Sequence, residues 1–340
     1  MPGADMGIDL GTSNTLIYLS GKGIMLNEPS IVAIDRETGD VVAMGKPAQQ
    51  MMGRTSDRLD VIAPLCNGVV SDYTYTQKML EDYVHRVSNN AVFNPRVVIC
   101  VPSELTEVER RAAVDAVRQA GARKICLLEE PMAAAIGAGL DVTASTGCGV
   151  VDIGGGTTDM AVISLGGVAV SASCKAAGNA FDRALIAYMR DKYFLLIGER
   201  MAEQAKCVIG CARVPAEDRT FAIRGRHAVT GLPASVTLHS ADMAEAYAPV
   251  LESLTAHVTT MLEQTPPELL SDLYDHGMML TGGGALLDGL DTHLTDATHV
   301  RFTRAERPLE CVALGAGQAL AYLDRLEATD LAYVNPLTEA

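Results

Sequence analysis

Short runs of β-branched and apolar residues alternate along the chain with longer stretches whose apolar positions recur every three or four residues. That is the pattern of strands interleaved with helices. Met6 to Leu10, Thr15 to Leu19 and Ile31 to Ile34 predict three strands in succession, with Gly21-Lys22-Gly23 as a tight turn among them. Residues 35–66 are more mixed, carry a turn at Glu37-Thr38-Gly39-Asp40, and suit a small inserted lobe. Residues 75–88 predict a helix, and Arg96 to Val101 a buried strand stopped by Pro102. Thr106 with Glu109 three residues later forms a capping box. Val108, Ala112, Val114 and Val117 give that helix an apolar face, and Gly121 ends it. Ile125 to Leu128 is the next strand. Pro131 then opens a helix of very small residues, Met132 to Gly139, through which backbones can pack closely.

The pattern then restarts. Residues 148–153, 160–165 and 167–173 again read as three strands, and Asp9-Leu-Gly-Thr-Ser-Asn-Thr15 recurs as Asp152-Ile-Gly-Gly-Gly-Thr-Thr-Asp159. This is an internal duplication of a strand–turn–strand unit, not a solenoid repeat. Residues 179–237 read as helices plus a short polar stretch broken by glycine, a second small lobe. A long amphipathic helix over 240–264 aligns Met243, Tyr247, Leu251, Leu254, Val258, Met261 and Leu262, with Pro249 either bending it or marking a late start. Met278 to Thr281 is a strand, Gly282-Gly283-Gly284 a turn, Ala285 to Leu290 a helix, and 311–326 the last clear helix; the tail from Thr329 reads as loosely held.

Composition narrows the class. The chain has 340 residues, 48% hydrophobic and 20% charged, which is ordinary for a globular protein and long enough for a large core without staples. Aromatic residues are only 4% and Trp is absent, so the core must be aliphatic. A net charge of −15 argues against nucleic acid as a partner, because counterion release needs a basic surface. It also opposes simple electrostatic adhesion to an anionic bilayer. The eight cysteines include no C-x-x-C pair, and most sit in apolar runs where Cys behaves as a small hydrophobe. Cys207 and Cys211 could share a helix face, but two further metal ligands are not evident. Met1 to Met6 has neither a basic nor an apolar signal segment, and no run of 18 apolar residues occurs; a reduced, cytoplasmic setting is expected.

The two Asp-led turns carry the chemistry. Glycine lets the backbone approach a phosphate with its N–H groups pointing at the oxygens, Thr and Ser add hydroxyl donors, and an Asp at the strand end can hold magnesium, usually through water. One such turn alone is more often only a tight turn; two copies in matching strand contexts imply facing hairpins that clasp the phosphates of one nucleotide. Gly282 to Ala285 is either a platform for a base or ribose, or a helix start with close strand packing. Glu203 and Lys206, three apart, are either a surface pair or a nucleoside clamp. Glu130, at the start of the small-residue helix, is either a dipole partner or a carboxylate that orients attacking water.

With these motifs the chain resembles the actin, heat-shock chaperone and sugar-kinase ATPase superfamily. Within it, it is similar to the MreB family of rod-shape bacterial actins. The strings that carry this are Asp9-Leu-Gly-Thr-Ser-Asn-Thr-Leu-Ile-Tyr18, Gly21-Lys-Gly-Ile-Met-Leu-Asn-Glu-Pro-Ser30, Pro95-Arg-Val-Val-Ile-Cys-Val-Pro102 and Glu129-Glu-Pro-Met-Ala-Ala-Ala-Ile-Gly-Ala-Gly139. Val151-Asp-Ile-Gly-Gly-Gly-Thr-Thr-Asp159, Thr265-Pro-Pro-Glu-Leu269 and Leu280-Thr-Gly-Gly-Gly-Ala-Leu-Leu287 extend it, so that it runs from about Met6 to Tyr322. The resemblance implies a duplicated actin-like α/β ATPase fold: two large sheet-and-helix subdomains, each with a small inserted subdomain, and the nucleotide in the central cleft. The expected division is 1–32, 67–143 and 315–340 for the first large subdomain, with 33–66 inserted, and 144–178 and 244–314 for the second, with 179–243 inserted.

By position, the resemblance implies a first phosphate loop of Thr12, Ser13 and Asn14, and a second of Gly154, Gly155, Gly156, Thr157 and Thr158. Asp9 and Asp152 would sit near Mg²⁺, and Glu130 would be the hydrolytic carboxylate with Thr157 helping to place the water. Glu203 and Lys206 would flank the nucleoside, above Gly282, Gly283, Gly284 and Ala285. It further implies ATP binding, weak ATP hydrolysis coupled to self-assembly into paired protofilaments, and a peripheral position on the inner face of the cytoplasmic membrane beside wall-elongation membrane proteins. Val92 and Phe93 occupy the place of a membrane loop, although two such residues bury little area. Asn179, Ala63, Cys207 and Cys211 depart from the family's usual residues. A chaperone-type or metabolite-kinase ATPase of the same superfamily is the alternative. The first would carry a C-terminal substrate domain, and the second a base poised at a substrate hydroxyl, for which only Glu130 offers itself.

Overall fold

The computed structural model describes residues 5–88, 95–322 and 333–334. The chain opens with an antiparallel meander, β1 (Met6–Leu10), β2 (Asn14–Leu19) and β3 (Gly23–Pro29). A small lobe follows: β4 (Val32–Asp35), β5 (Val41–Met44), α1 (Lys46–Met51) and β6 (Leu59–Ile62), then the hairpin β7 (Leu65–Cys66) and β8 (Val69–Val70). Next come α2 (Tyr73–Ser88), β9 (Arg96–Val101), α3 (Glu107–Gln119), β10 (Lys124–Glu129) and α4 (Glu130–Gly137). The second meander is β11 (Cys148–Ile153), β12 (Thr158–Ser164) and β13 (Gly167–Cys174). A second lobe holds α5 (Gly178–Tyr193), β14 (Leu195–Leu196), α6 (Glu199–Ile209), β15 (Thr220–His227) and β16 (Pro233–His239). The chain continues with α7 (Ser240–Gln264), α8 (Pro267–His276), β17 (Met278–Thr281), α9 (Leu290–Thr298), β18 (Phe302–Arg304), α10 (Cys311–Ala319) and β19 (Tyr333–Val334).

The two large sheets repeat one plan. The first has the order β19-β10-β9-β1-β2-β3 and the second β13-β12-β11-β17-β18. In each, the meander's first strand pairs in parallel with a strand reached after an excursion: β1 with β9, and β11 with β17. The duplicated turn motif therefore reflects a duplicated sheet. Parallel strands are buried on both faces and read as continuous apolar runs, as Val97 to Val101 does.

Helices α4 and α10 cross between the two sheets. Their core joins Ala133, Ala134, Ala135, Val312 and Ala316 to Val98 and Cys126 of one sheet and to Val150, Ala161 and Ile163 of the other. A Cβ added at Gly137 would collide with the Cys311 carbonyl, and one at Gly315 with the Ala133 carbonyl. The small-residue run thus lets two helix backbones touch where the halves meet. The larger cores are aliphatic, as the shortage of aromatics requires, around Met6, Ile8, Leu80 and Tyr83 in one half and Leu185, Leu251, Val258 and Phe181 in the other.

Several sequence expectations need correction. The third strand of the first meander is Gly23–Pro29, not Ile31 to Ile34, which opens the small lobe as β4. The alternation in Gly23–Pro29 is broken by a bulge at Ile17/Tyr18 and by polar Asn27 and Glu28, so it lacks a strand-like apolar run. In α3 the capping box is formed, with the Glu109 N–H donating to Thr106 Oγ1 and the Thr106 N–H to the Glu109 carboxylate. Val108, however, is 77% exposed, and Ala113 and Ala116 complete the buried face with Val114 and Val117. The second lobe contains a three-stranded sheet, β14-β15-β16, where the sequence reading gave helices and a short polar stretch; its strands carry Arg224, Arg226 and Thr237 outward and Phe221, Ile223, Val236 and Leu238 inward, an alternation that the reading passed over. Helix α7 starts at Ser240 and continues through Pro249, which rules out a late start. After the glycine turn comes a single 3-10 turn, Gly283–Leu286, and the helix proper is Leu290–Thr298. The last helix ends at Ala319 with a 3-10 turn to Tyr322, and residues 323–326 lie outside the described residues. Tyr333–Val334, in the tail expected to be loose, pairs antiparallel with β10.

Candidate functional site

The site is built from two hairpin tips. Gly11-Thr12-Ser13 joins β1 to β2, and Gly154-Gly155-Gly156-Thr157 joins β11 to β12. The tips converge from opposite halves. A Cβ at Gly155 would collide with Ser13 Oγ, and one at Gly156 would lie 2.6 Å from Thr12 Oγ1 and 2.8 Å from Asn67 Cα. Only bare backbone permits that approach. Each tip is also held from behind. Thr12 Oγ1 accepts the Gly68 N–H at 2.7 Å, tying the first tip to the β7–β8 turn. The N–H groups of Gly178 and Asn179, at the start of α5, donate to the Gly154 and Gly155 carbonyls at 3.0 and 2.7 Å.

Between the halves lies a cavity of about 400 Å³, within the range of small-molecule sites. Asp9, Thr12, Ser13, Asn14, Glu130, Asp152, Gly154, Gly155, Gly156 and Thr157 line it. Glu203, Lys206, Gly282, Gly283 and Gly284 line it too. Thr158 and Ala285 stand behind the wall: Thr158 is buried with its hydroxyl donating to the Ala176 carbonyl at 2.8 Å, and Ala285 is buried under the third glycine turn. That turn is pressed against the end of β11, since side chains at Gly282 or Gly284 would strike Ile153. Val92 and Phe93 lie outside the described residues. Cys207 lines the cavity, whereas Cys211 falls beyond α6, is buried, and donates to the Ser240 carbonyl, so the two do not share a helix face.

Sequence reasoning missed several wall residues. Gly68, Gly178 and Gly210 gave the same signal as the glycines chosen, close backbone approach, but stand outside any glycine run. Leu286 and Leu287 directly follow the third glycine turn, whereas Phe181, Arg219 and Leu309 gave no signal, because a side chain from a distant element reaches the wall only through tertiary packing.

The carboxyls beneath the hairpin tips are largely buried. Glu130 is 7% exposed, and Asp152 and Asp159 are buried. Burial first, and then the Asp152 charge, pushes Asp9 up to about 8. Burial likewise pushes Asp152 up to about 7, partly offset by the Thr281 hydroxyl, which donates to Asp152 Oδ1 at 2.6 Å. Glu130 is raised well above the usual carboxylate range by burial and by Asp159, Asp9 and Asp152. Buried like charges without a counterion cannot all ionise, so such a floor favours a cation above it. Among the described residues no three His, Cys, Asp or Glu side chains converge as a metal cage. Lys206 is fixed, with Nζ 2.6 Å from Asp182 Oδ2 and 3.0 Å from the Gly178 carbonyl.

A duplicated α/β plan around a glycine-hairpin cleft is that of the actin-like proteins. The structure superposes on MreB5 of Spiroplasma citri bound to AMPPNP with a TM-score of 0.91, at 35% identity, covering 95% of this chain and 97% of that one. It also matches the MamK double helical filament with a TM-score of 0.79 at 22% identity, a likeness of fold alone. The family model for MreB/Mbl protein matches residues 3–328, and the chain belongs to that family. It is 49% identical over 326 residues to the cell shape-determining protein MreB of Escherichia coli K12, covering 94% of each chain. It is 44% identical over 323 residues to the cell shape-determining protein Mbl of Bacillus subtilis 168, covering 95% of this chain and 97% of that one.

Proposed function

We propose that this chain is an actin-like cytoskeletal ATPase. It binds ATP in the cleft, assembles into filaments with ATP, and maintains rod shape by organising wall synthesis at the inner face of the cytoplasmic membrane. The observation that carries the reading is the convergence of the Thr12-Ser13 and Gly155-Gly156 tips upon one cavity. The cell-shape role is supported by the curated relatives, and nucleotide binding by the AMPPNP-bound neighbour.

The residues fit the ligand. Backbone N–H groups and hydroxyls of Thr12, Ser13, Asn14 and Gly154 to Thr157 suit phosphate oxygens. The unneutralised carboxyls of Asp9 and Asp152 suit Mg²⁺ held through water and phosphate, a mode that needs no protein cage. Bound there, the ion supplies charge neutralisation for the triphosphate. Glu130 is the proposed acceptor and orienter of the attacking water, with Thr157 beside it. A low-exposure carboxyl takes up a proton more readily than one in solvent, which suits that role. Lys206, braced by Asp182, and Glu203 flank the nucleoside over Gly282 to Gly284. The division into four subdomains is proposed on the ground that each large sheet is accompanied by an inserted lobe. No helix among the described residues is long and apolar enough to cross a membrane, and membrane contact is proposed as peripheral, through the segment with Val92 and Phe93.

High-speed sedimentation with and without Mg-ATP, in the presence and absence of anionic liposomes, tests this. The reading expects pelleting that requires ATP and recruitment of the polymer to lipid. Protein that stays in the supernatant with Mg-ATP across concentration and salt contradicts it.

A further inference from the structure

The second hairpin tip is built almost wholly of glycine, so side chains of its own do little to hold its shape. Gly154-Gly155-Gly156-Thr157 closes on itself by one bond, from the Gly154 N–H to the Thr157 carbonyl at 2.9 Å. Further support comes from outside the loop. The Gly178 and Asn179 N–H groups, in the first turn of α5, hold the Gly154 and Gly155 carbonyls. They are spare donors, since the first N–H groups of a helix have no partner within it. A trans peptide sets its carbonyl and the next N–H in opposite directions. Anchoring those two carbonyls to α5 therefore turns the N–H groups of Gly155 and Gly156 away from α5.

The first turn of α5 is held in its turn from another helix. Lys206 of α6 donates from Nζ to the Gly178 carbonyl at 3.0 Å and to Asp182 Oδ2 at 2.6 Å. Gly178 is sandwiched by this: a Cβ added there would lie 3.5 Å from Lys206 Nζ and 3.3 Å from Gly155 Cα. The side chains of Lys206 and Asp182 are only 19% and 11% exposed, so solvent screens the pair little. The other Asp182 oxygen, Oδ1, is buried with no hydrogen-bond partner. Lys206 makes the one ion pair of this carboxylate among the described residues. Two of the three ammonium donors are thus spent on α5 rather than left for a ligand. The contacts run unbroken from Asp182 through Lys206 to Gly178, and from Gly178 to the loop.

We propose that Asp182 and Lys206 are positioning residues for the second phosphate loop: the pair pins the first turn of α5, which presets the Gly155 and Gly156 N–H groups for phosphate. This rests on the proposed nucleotide site and adds how its loop is held. A preset loop loses less freedom on binding. The pair therefore contributes to phosphate affinity even where no nucleoside is present.

The test measures equilibrium binding of Mg-ATP and of magnesium tripolyphosphate, which has no nucleoside, to the full chain and to five variants. These are Asp182→Asn, Asp182→Ser, Asp182→Glu, Lys206→Met and the double variant Asp182→Asn/Lys206→Met, with thermal melts to show which are folded. Charge alone forecasts that removing a carboxylate near an anion's site tightens binding. The proposal expects the reverse. Asp182→Asn and Asp182→Ser should each bind tripolyphosphate about tenfold more weakly than the wild type, and either suffices if the other does not fold. Asp182→Glu, which can keep the ion pair, should recover most of that loss. Lys206→Met should also weaken tripolyphosphate binding. Adding Asp182→Asn to it should cost nothing more, since the carboxylate then has no ammonium to hold. The proposal is overturned if the folded Asp182→Asn or Asp182→Ser chain binds tripolyphosphate as tightly as the wild type or more so. A further tenfold loss in the double variant, or unchanged tripolyphosphate affinity in Lys206→Met, also overturns it. A wild type that binds neither Mg-ATP nor tripolyphosphate would instead overturn the nucleotide site itself.

Discussion

Glu130 shows how surroundings suit one side chain to the task proposed for it. It opens α4 with Pro131 at the second helical position, so its backbone is fixed, and burial plus three neighbouring carboxylates raise its proton affinity. Glu130→Ala should lower ATP turnover by about a hundredfold, the scale of a lost general base, and leave ATP binding nearly intact; unchanged phosphate release would remove it from that role. Asp242 is the opposite case. Burial alone would raise its pKa, but the His239 N–H, the Tyr193 and Tyr188 hydroxyls and Lys192 bring it down to about 2. A carboxyl depressed in the folded state stabilises above its ordinary pKa of 3.8 and loses that contribution as pH falls toward 2. Asp242→Asn should therefore cost about 1–2 kcal/mol near neutrality. Chemical denaturation should show the gap to wild type closing between pH 4 and 2; a gap that stays constant over that range would refute the assignment.

At the scale of elements, the decisive contact is the crossing of α4 and α10. Gly315→Ala places a methyl group against the Ala133 carbonyl, backbone that cannot rotate away. The expected loss is about 1–3 kcal/mol, typical of overpacking, read from a urea midpoint; an unchanged midpoint would mean that the crossing has slack. Local signals made this element legible, since a run of Ala and Gly after Pro131 says that something packs closely, though not what. The capping box of α3 was legible to the residue, because a cap is made by neighbours in sequence. β3 was not, because a bulge and its polar residues break the alternation that marks a strand, and β15 and β16 were passed over although Phe221 and Ile223, and Ala234, Val236 and Leu238, alternate with polar neighbours. The same division runs through the site. The glycine hairpins announced themselves by being repeated, whereas Phe181, Leu309 and Arg219 reach the cavity from elements far apart in the chain and carry no local mark.

At the scale of the whole molecule, two copies of one sheet plan present their hairpin tips to each other, joined through α4 and α10. A ligand bridging the tips would bind both halves at once, so occupancy and the relation of the halves become linked. That link is how a nucleotide could govern assembly in a chain built this way. The account depends on the tips holding one triphosphate between them. Isothermal titration of Mg-ATP into the wild type and into a Gly155→Ala/Gly156→Ala variant tests this, with thermal melts to show that both are folded. One nucleotide per chain is expected for the wild type. The variant, whose added methyl groups meet Ser13, Thr12 and the Asn67 backbone, should bind at least about a hundredfold more weakly. A folded variant that binds Mg-ATP as tightly as the wild type, at the same stoichiometry, would contradict the account.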